Sequence, residues 1–166
     1  MSEKKNGTVV CPGSYDPVTN GHVDIITRTS NVFDKVVVGV VNNPLRKQKT
    51  LFSAEERKAF IEEAIADLGN VEVGIMSNLL VEFAREHGAT AVIKGLRAIS
   101  DFEYEFEMNQ LNRKLAPEIE SMYIFASANY SFLSSTGVKE IATFGGDVRD
   151  LVPDPVAKAL AERLAR

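Results

Sequence analysis

Three short segments of the sequence carry side chains that can hold phosphate groups. The first is Pro-Gly-Ser-Tyr-Asp-Pro-Val-Thr-Asn-Gly-His at positions 12–22, where two prolines, two glycines and an asparagine indicate a shaped turn. A helix predicted to begin near Gly21 puts His22 in its first turn, where backbone N–H groups favour anions. His22 and the hydroxyl of Ser14 are therefore candidate phosphate ligands. The alternative is an ordinary strand–helix turn with an exposed histidine and a serine that closes its own turn.

The second and third segments add cations and hydroxyl groups. Lys94 and Arg97 come at the end of a predicted strand, where arginine can grip a phosphate with two N–H groups and lysine supplies a compact charge. Two solvated loop cations are the alternative. Four hydroxyls precede a predicted helix near Val138, namely Ser131, Ser134, Ser135 and Thr136. Together with the N–H groups of the helix start they favour an anion site, although simple capping needs only one hydroxyl.

No combination of residues indicates covalent or metal chemistry. The glycine patterns of a P-loop and of a dinucleotide fingerprint are absent. There is no Ser-His-Asp or Cys-His set and no cluster of metal ligands, so no metal site is predicted. Cys11 is the single cysteine, which excludes an intramolecular disulfide and a cysteine-based zinc site, and we expect it to be inert core. His87 precedes Gly88 at a predicted helix end, which favours a capping role over ligand binding.

The predicted elements bring these segments to one edge of a sheet. Short runs rich in Val and Ile predict five strands, at 8–11, 35–41, 71–75, 91–94 and 122–126, each covered on both faces. Helical spacing lies between them, with a capping box at Ser53 and Glu56 and a helix start at Asp154. The alternation predicts an α/β fold with a doubly wound, five-stranded parallel sheet. Ligands bind such sheets at the carboxyl ends of the strands.

Length and composition limit the possible function classes. The 166 residues predict a single domain over 1–166, and 45% apolar with 25% charged residues is typical of a globular protein. The net charge of −4 argues against general nucleic-acid binding, because neutralising phosphates needs a basic face. The polar N-terminus lacks a signal-peptide core, and the longest apolar run, 36–41, is too short to span a membrane. We therefore expect a cytoplasmic protein without membrane or nucleic-acid partners.

A helix predicted after Asp101 is apolar on two sides. One stripe comprises Tyr104, Met108, Leu111 and Leu115, and the other comprises Phe102 and Phe106. Such a helix either contacts both its own core and a partner subunit, or is deeply buried within its own chain.

Four sequence blocks together resemble bacterial phosphopantetheine adenylyltransferase, a family of the nucleotidyltransferase superfamily named for its His-x-Gly-His motif. They are Cys-Pro-Gly-Ser-Tyr-Asp-Pro-Val-Thr-Asn-Gly-His (11–22), Lys-Gly-Leu-Arg (94–97), Asp-Phe-Glu-Tyr-Glu (101–105) and Tyr-Ser-Phe-Leu-Ser-Ser-Thr (130–136). As is usual in that family, a threonine, here Thr19, replaces the first histidine. The resemblance runs from about position 9 to 164 and implies a Rossmann-like nucleotidyltransferase fold.

The resemblance also implies an activity and a set of site residues. The activity is adenylyl transfer from ATP to 4′-phosphopantetheine, giving dephospho-coenzyme A and pyrophosphate, with Mg²⁺ carried by the nucleotide and with a homohexameric assembly. His22 would stabilise the transition state. The nucleotide would contact Ser14, Tyr15, His22, Gly95, Leu96, Arg97, Glu105, Tyr130, Ser131, Phe132, Leu133, Ser134, Ser135 and Thr136. The acceptor would contact Ser14, Arg46, Lys47, Leu80 and Lys94.

Two positions depart from the family pattern, and two other functions stay open. The acceptor-side lysine of the family falls in the loop 43–49, which is longer than in many members, so that Arg46 and Lys47 both align with it. Thr136 stands where many members have serine, and it keeps the hydroxyl. One alternative function is a related nucleotidyltransferase that uses CTP or another phosphorylated acceptor. The other is a nucleotide-binding regulatory domain without turnover.

Overall fold

The protein folds around a parallel five-stranded sheet. Its structure is a computed structural model, which describes residues 6–43 and 49–164. The strands are β1 Thr8–Gly13, β2 Lys35–Val41, β3 Val71–Met76, β4 Ala91–Leu96 and β5 Glu120–Phe125. Their order in the sheet is β3-β2-β1-β4-β5, and every pair of neighbours is parallel. This order confirms the predicted doubly wound α/β architecture.

Six α-helices and one 3₁₀ turn connect and follow the strands in the described part of the chain. They are α1 Asn20–Ser30, α2 Ala54–Ala64, α3 Leu80–Glu86, α4 Ile99–Leu115, the turn Ala128–Tyr130, α5 Ser135–Thr143 and α6 Asp154–Leu164. The predicted capping box is present, since Ser53 Oγ accepts from the Glu56 N–H and the Glu56 carboxylate accepts from the Ser53 N–H. Beyond α3, Gly88 has a φ of +64°, which confirms the predicted helix stop.

Helices cover the sheet from both faces, and alternate strand residues supply the two cores. On one face, Val9 and Cys11 of β1 pack with side chains from α1, α2, α5 and α6. On the other face, Val10 belongs to a cluster that includes Val81, Phe83 and Ala84 of α3. Burial raises the pKa of the Cys11 thiol to about 12, which confirms its prediction as inert core. Among the described residues, no helix combines the length and apolar character needed to cross a bilayer.

The structure corrects the ends of four strands. β3 extends to Met76, one residue beyond the predicted 71–75. β1 continues through Pro12 to Gly13, because its pairing with β4 stops at Val10 and Pro12 therefore needs no donor on that side. β4 includes Gly95 and Leu96, which pair with β5, so these two residues do not follow the strand as predicted. β5 begins at position 120 and ends at 125, whereas 122–126 was predicted.

The prediction that every strand is covered on both faces is wrong for β5. This edge strand leaves Met122 and Phe125 exposed, the latter at 76%. The neighbouring helix α4 is likewise open, since no residue from 101 to 115 is buried. Deep burial of α4 within its own chain is therefore excluded.

Candidate active site

The phosphate-binding segments predicted from the sequence meet at the carboxyl edge of the sheet. Arg97, after β4, donates through Nη1 to the Leu133 carbonyl at 2.8 Å. Ser135, at the start of α5, donates through Oγ to the Pro17 carbonyl at 2.7 Å. A Cβ added at Gly21 would lie 3.4 Å from Cβ of Tyr130, so the start of α1 also contacts the third segment. These contacts join residues 12–22, 94–97 and 130–136 into one site.

His22 is held in one orientation by the cap of α1. Thr19 is the N-cap residue, and its Oγ1 accepts from the His22 N–H at 3.4 Å, while the Thr19 N–H donates to Nδ1 of His22 at 3.0 Å. Because a backbone N–H can only donate, Nδ1 is an acceptor, and the neutral ring carries its proton on Nε2. The ring of Tyr15 meets the imidazole edge-on, with centroids 5.0 Å apart. The structure therefore gives His22 a defined N–H donor at Nε2.

Tyr15 differs from the other predicted nucleotide contacts because its side chain belongs to the core. It is 5% exposed, and its hydroxyl donates to the Cys11 carbonyl at 2.9 Å. Burial, together with the neighbouring Cys11, raises the pKa of the Tyr15 phenol well above its ordinary value. Its φ of +48° is in the left-handed region, which turns the chain sharply after Ser14. A ligand can thus meet the backbone of Tyr15 but not its ring.

Lys94 is not the solvated loop cation of the alternative interpretation. Its ammonium lies 2.6 Å from the Glu105 carboxylate, and each side chain is only 19% exposed. The hydroxyl of Tyr123 donates to the Glu105 carbonyl at 3.1 Å and fastens this turn of α4 to β5. Gly95 packs on α1, since a Cβ there would lie 3.0 Å from Ile25. Lys94 was predicted to contact the acceptor and Glu105 the nucleotide. The two residues are direct partners.

The hydroxyl-rich segment is divided between capping and exposed positions. Ser134 caps α5 by accepting from the Gly137 N–H at 3.0 Å, as the capping interpretation expected. Ser131 donates to the Ala128 carbonyl at 3.2 Å, and Leu133 is buried. Phe132, in the loop before α5, and Thr136, in its first turn, are exposed.

Of the predicted acceptor contacts, Leu80 lies apart from this cluster in the order of the sheet. Leu80 is the first residue of α3, behind the edge strand β3, and the strand order puts β2 between β3 and β1. Arg46 and Lys47 lie outside the described residues.

Comparison with known proteins identifies the family. Residues 10–141 match the family model described as cytidylyltransferase-like. A phosphopantetheine adenylyltransferase of Rubrobacter xylanophilus is 57% identical over 157 residues, which cover 95% of this chain and 94% of the relative. The chain belongs to the phosphopantetheine adenylyltransferase family. A relative of the same name from Clostridium tetani is 51% identical over 154 residues, which cover 93% of this chain and 95% of the relative.

Solved structures of other proteins share the fold. The nicotinic acid mononucleotide adenylyltransferase of Plasmodium falciparum, complexed with NaAD, has a TM-score of 0.64 and 16% identity. The superposition covers 94% of this chain and 95% of that chain. At this identity the likeness concerns the fold alone.

Sequence reasoning missed a buried carboxylate under the site, Asp16. It accepts from the N–H groups of Leu51 and Phe52, each at 3.0 Å, and from the Lys139 ammonium at 3.0 Å. Burial alone would raise the pKa of the Asp16 carboxyl, but these donors outweigh burial and hold the pKa below its ordinary value. The sequence signal was weak, because Asp16 and Lys139 are 123 residues apart.

The acidic residues near the site are engaged with cations. Asp16 pairs with Lys139, Asp101 with Arg97, and Glu105 with Lys94. Within residues 6–43 and 49–164, no three His, Cys, Asp or Glu side chains are grouped so as to hold a metal ion.

Proposed function

We propose that this protein transfers the adenylyl group of ATP to 4′-phosphopantetheine, forming dephospho-coenzyme A and pyrophosphate. The observation that carries the proposal is the oriented Nε2 donor of His22, at the strand edge where three anion-binding segments converge, in a chain of this family. An adenylyl transfer brings two polyanions together, and a site of this composition suits that task.

The reaction is a direct displacement at the α-phosphorus. A phosphate oxygen of the acceptor forms the new P–O bond, the bond from the α-phosphorus to the β-phosphate oxygen breaks, and pyrophosphate leaves with that electron pair. The acceptor phosphate is already anionic and needs no strong base. His22 donates from Nε2 to an α-phosphate oxygen as charge builds up there, which stabilises the transition state more than the bound substrates.

The nucleotide lies across the ends of β1, β4 and the start of α5. Arg97, already directed towards the Leu133 carbonyl, holds the leaving phosphates together with the start of α5 and the Thr136 hydroxyl. The remaining nucleotide contacts are those of Ser14, the Tyr15 backbone, Gly95, Leu96, Glu105 and residues 130–135.

The acceptor phosphate meets Lys94. The ammonium is largely withdrawn from solvent beside Glu105, so a phosphate that reaches it gains a charge-assisted hydrogen bond at little ordering cost. Ser14, Leu80 and the pair Arg46 and Lys47 complete the acceptor side, the last two through the basic loop that the family resemblance assigns to this role.

Mg²⁺ enters as part of the substrate, as MgATP. It neutralises phosphate charge and is held by phosphate oxygens, as is usual for nucleotide substrates. The carboxylates of Asp16, Asp101 and Glu105 each already have a positive partner in the protein. This pairing supports the proposal that Mg²⁺ is held by the nucleotide and not by these carboxylates.

The active protein is a closed homo-oligomer, and we propose a hexamer. The support is the open apolar surface of α4 and β5, on which Phe102, Phe106, Leu111 and Leu115 are each at least 51% exposed. Apolar patches of this kind on a soluble chain mark interaction surfaces. A second copy of the chain is the occupant we propose, because most soluble oligomers are homo-oligomers with closed symmetry, and six copies are what the family resemblance implies. We place the reaction in the cytoplasm.

A panel of substrates tests the activity. Purified protein is mixed with Mg²⁺ and either ATP or CTP, and with 4′-phosphopantetheine or nicotinate mononucleotide, while pyrophosphate is followed. We expect release with ATP and 4′-phosphopantetheine only. Preference for CTP or for the other acceptor would indicate a different nucleotidyltransferase, and nucleotide binding without release would indicate a regulatory domain.

A further inference from the structure

Arg57 is a cation that is completely buried beneath the site. It lies in the first turn of α2 and is 0% exposed. Its Nε donates to the carbonyls of Phe52 and Ser53, at 3.1 and 3.2 Å. Its Nη1 donates to the Ser14 and Val41 carbonyls at 2.6 and 2.8 Å, and its Nη2 to the Asn42 carbonyl at 3.0 Å. Every nitrogen of the guanidinium is thus bonded to the backbone.

These bonds join three segments that are separate in sequence. Ser14 belongs to the loop after β1, Val41 and Asn42 to the carboxyl end of β2, and Phe52 and Ser53 to the entry into α2. Ser14 immediately precedes the left-handed turn at Tyr15, from which the chain leads to His22. The guanidinium therefore sets the spacing between the β1 loop and the β2 end.

A buried arginine at this position is costly for folding alone. Removing a guanidinium from water carries a large desolvation cost, and the start of a helix is the unfavourable end for a cation. Burial lowers the pKa of Arg57, and the charges of Asp16 and Glu55 only partly oppose this effect. An apolar side chain would avoid that cost but would leave the five carbonyls without these donors, so the specific use of the guanidinium is to hold the three segments together.

We propose that Arg57 is a positioning residue for adenylyl transfer, which holds the loop at Ser14 in register with the end of β2. The inference rests on the proposed function and deepens it. Arg57 touches no substrate; it acts through the backbone carbonyls it binds. Misplacement of reacting groups by about 1 Å can cost ~10²-fold in rate, so loss of this register should be visible in turnover.

The test compares two conservative substitutions, Arg57→Lys and Arg163→Lys. Lysine keeps the charge but presents its donors from one point, so it cannot span the three segments. Arg163 is the matched control because it approaches the same entry into α2 from outside, donating to the Leu51 carbonyl at 2.8 Å and pairing with Glu56. Among residues 6–43 and 49–164 it forms no hydrogen bond with the β1 loop or with the end of β2.

We expect Arg57→Lys to fold and to lose about 10- to 100-fold in kcat/KM per folded molecule, with higher KM values for both substrates. Arg163→Lys should stay close to the wild type in all kinetic constants. If Arg57 were only structural, the variant would lose folded protein while the folded fraction kept wild-type KM and kcat. That result would overturn the positioning role.

A wild-type protein that releases no pyrophosphate would instead contradict the proposed function. Failure of the proposed function can therefore be distinguished from failure of the positioning role. Should Arg57→Lys not fold, ¹⁵N-arginine NMR of the wild type supplies the test. A guanidinium held by carbonyls on all sides gives separate, slowly exchanging Nη resonances for Arg57. A single averaged resonance would overturn the proposal.

Discussion

Replacing His22 by asparagine or by glutamine separates its two ring nitrogens. The asparagine amide reaches about as far as Nδ1, so it can still accept from the Thr19 N–H, which lies 3.0 Å from that atom. The asparagine side chain has no atom at the position of the histidine Nε2. The glutamine amide extends further and can present an N–H near the Nε2 position. His22→Asn therefore removes the proposed catalytic donor while keeping the cap of α1, and His22→Gln is its matched control.

The expected magnitudes follow from these contacts. A donor directed at charge that develops in the transition state is worth ~10²–10³ in kcat, or about 2.7–4 kcal/mol. Because asparagine keeps the capping bond, the free energy of unfolding should fall mainly by the lost ring contact with Tyr15, about 0.5–1.5 kcal/mol. Activity should thus fall much further than stability. An interaction made only in the transition state lowers kcat and kcat/KM alike.

Three measurements on each variant test the proposed role of His22. Pyrophosphate release gives kcat and KM, calorimetric titration gives the ATP affinity, and thermal unfolding gives the stability. We expect His22→Asn to bind ATP almost normally and turn over at least about 10²-fold more slowly, with His22→Gln between it and the wild type. An asparagine variant with unchanged kcat and a raised KM for ATP would make His22 a ground-state ligand and refute the proposed mechanism.

Three further predictions concern the buried carboxylate, the acceptor anchor and the exposed helix. Asp16→Asn should cost about 3 kcal/mol in the free energy of unfolding at neutral pH, because it leaves a buried pair broken. The lowered pKa of Asp16 means that this stabilisation is present above about pH 4 and is lost as the pH falls through the folded-state pKa, so urea titrations of wild type and variant should converge in acid. Lys94→Met should raise the KM for 4′-phosphopantetheine about 10- to 100-fold, the value of a charge-assisted hydrogen bond, and the KM for ATP less; equal rises would contradict the acceptor role. Phe106→Glu should dissociate the oligomer in analytical ultracentrifugation, whereas Val32→Glu, on another exposed apolar residue, should leave it intact; a wild-type monomer at micromolar concentration would contradict the assembly.

The sequence predicted the strands because buried parallel strands are continuous apolar runs. Val36 to Val41 in β2 is such a run, and its predicted bounds agree with the structure. The ends of β1 and β4 could not be predicted in the same way, because Pro12 and Gly95 normally mark strand ends. Here pairing with a neighbouring strand carries the ladder through them. Propensity is local, and the partner strand decides where a strand stops.

The candidate site was predictable only where side-chain chemistry is visible in a short segment. His22 in a helix start and Lys94 beside an apolar strand were of this kind. Asp16 and Arg57 were not, since their partners are backbone groups or residues far along the chain. One signal was available for Arg57, a cation in the first turn of a helix that already has a capping box, where the dipole favours acids.

The pairing of Lys94 with Glu105 could not be foreseen either, although both residues were predicted to belong to the site. Helical spacing does not place α4 relative to β4, and the 2.6 Å contact depends on that placement. The exposure of α4 was equally undetermined, because two apolar stripes fit an interface as well as a core.

Isotope labelling of the acceptor phosphate tests most directly whether this phosphate attacks the α-phosphorus of ATP. 4′-Phosphopantetheine carrying ¹⁸O in its phosphate group is mixed with unlabelled ATP, Mg²⁺ and the protein, and both products are analysed by mass spectrometry. Attack by the acceptor phosphate on the α-phosphorus predicts that all of the ¹⁸O is found in dephospho-coenzyme A and that the pyrophosphate is unlabelled. Label in the released pyrophosphate, or AMP formed without dephospho-coenzyme A, would contradict the proposed reaction.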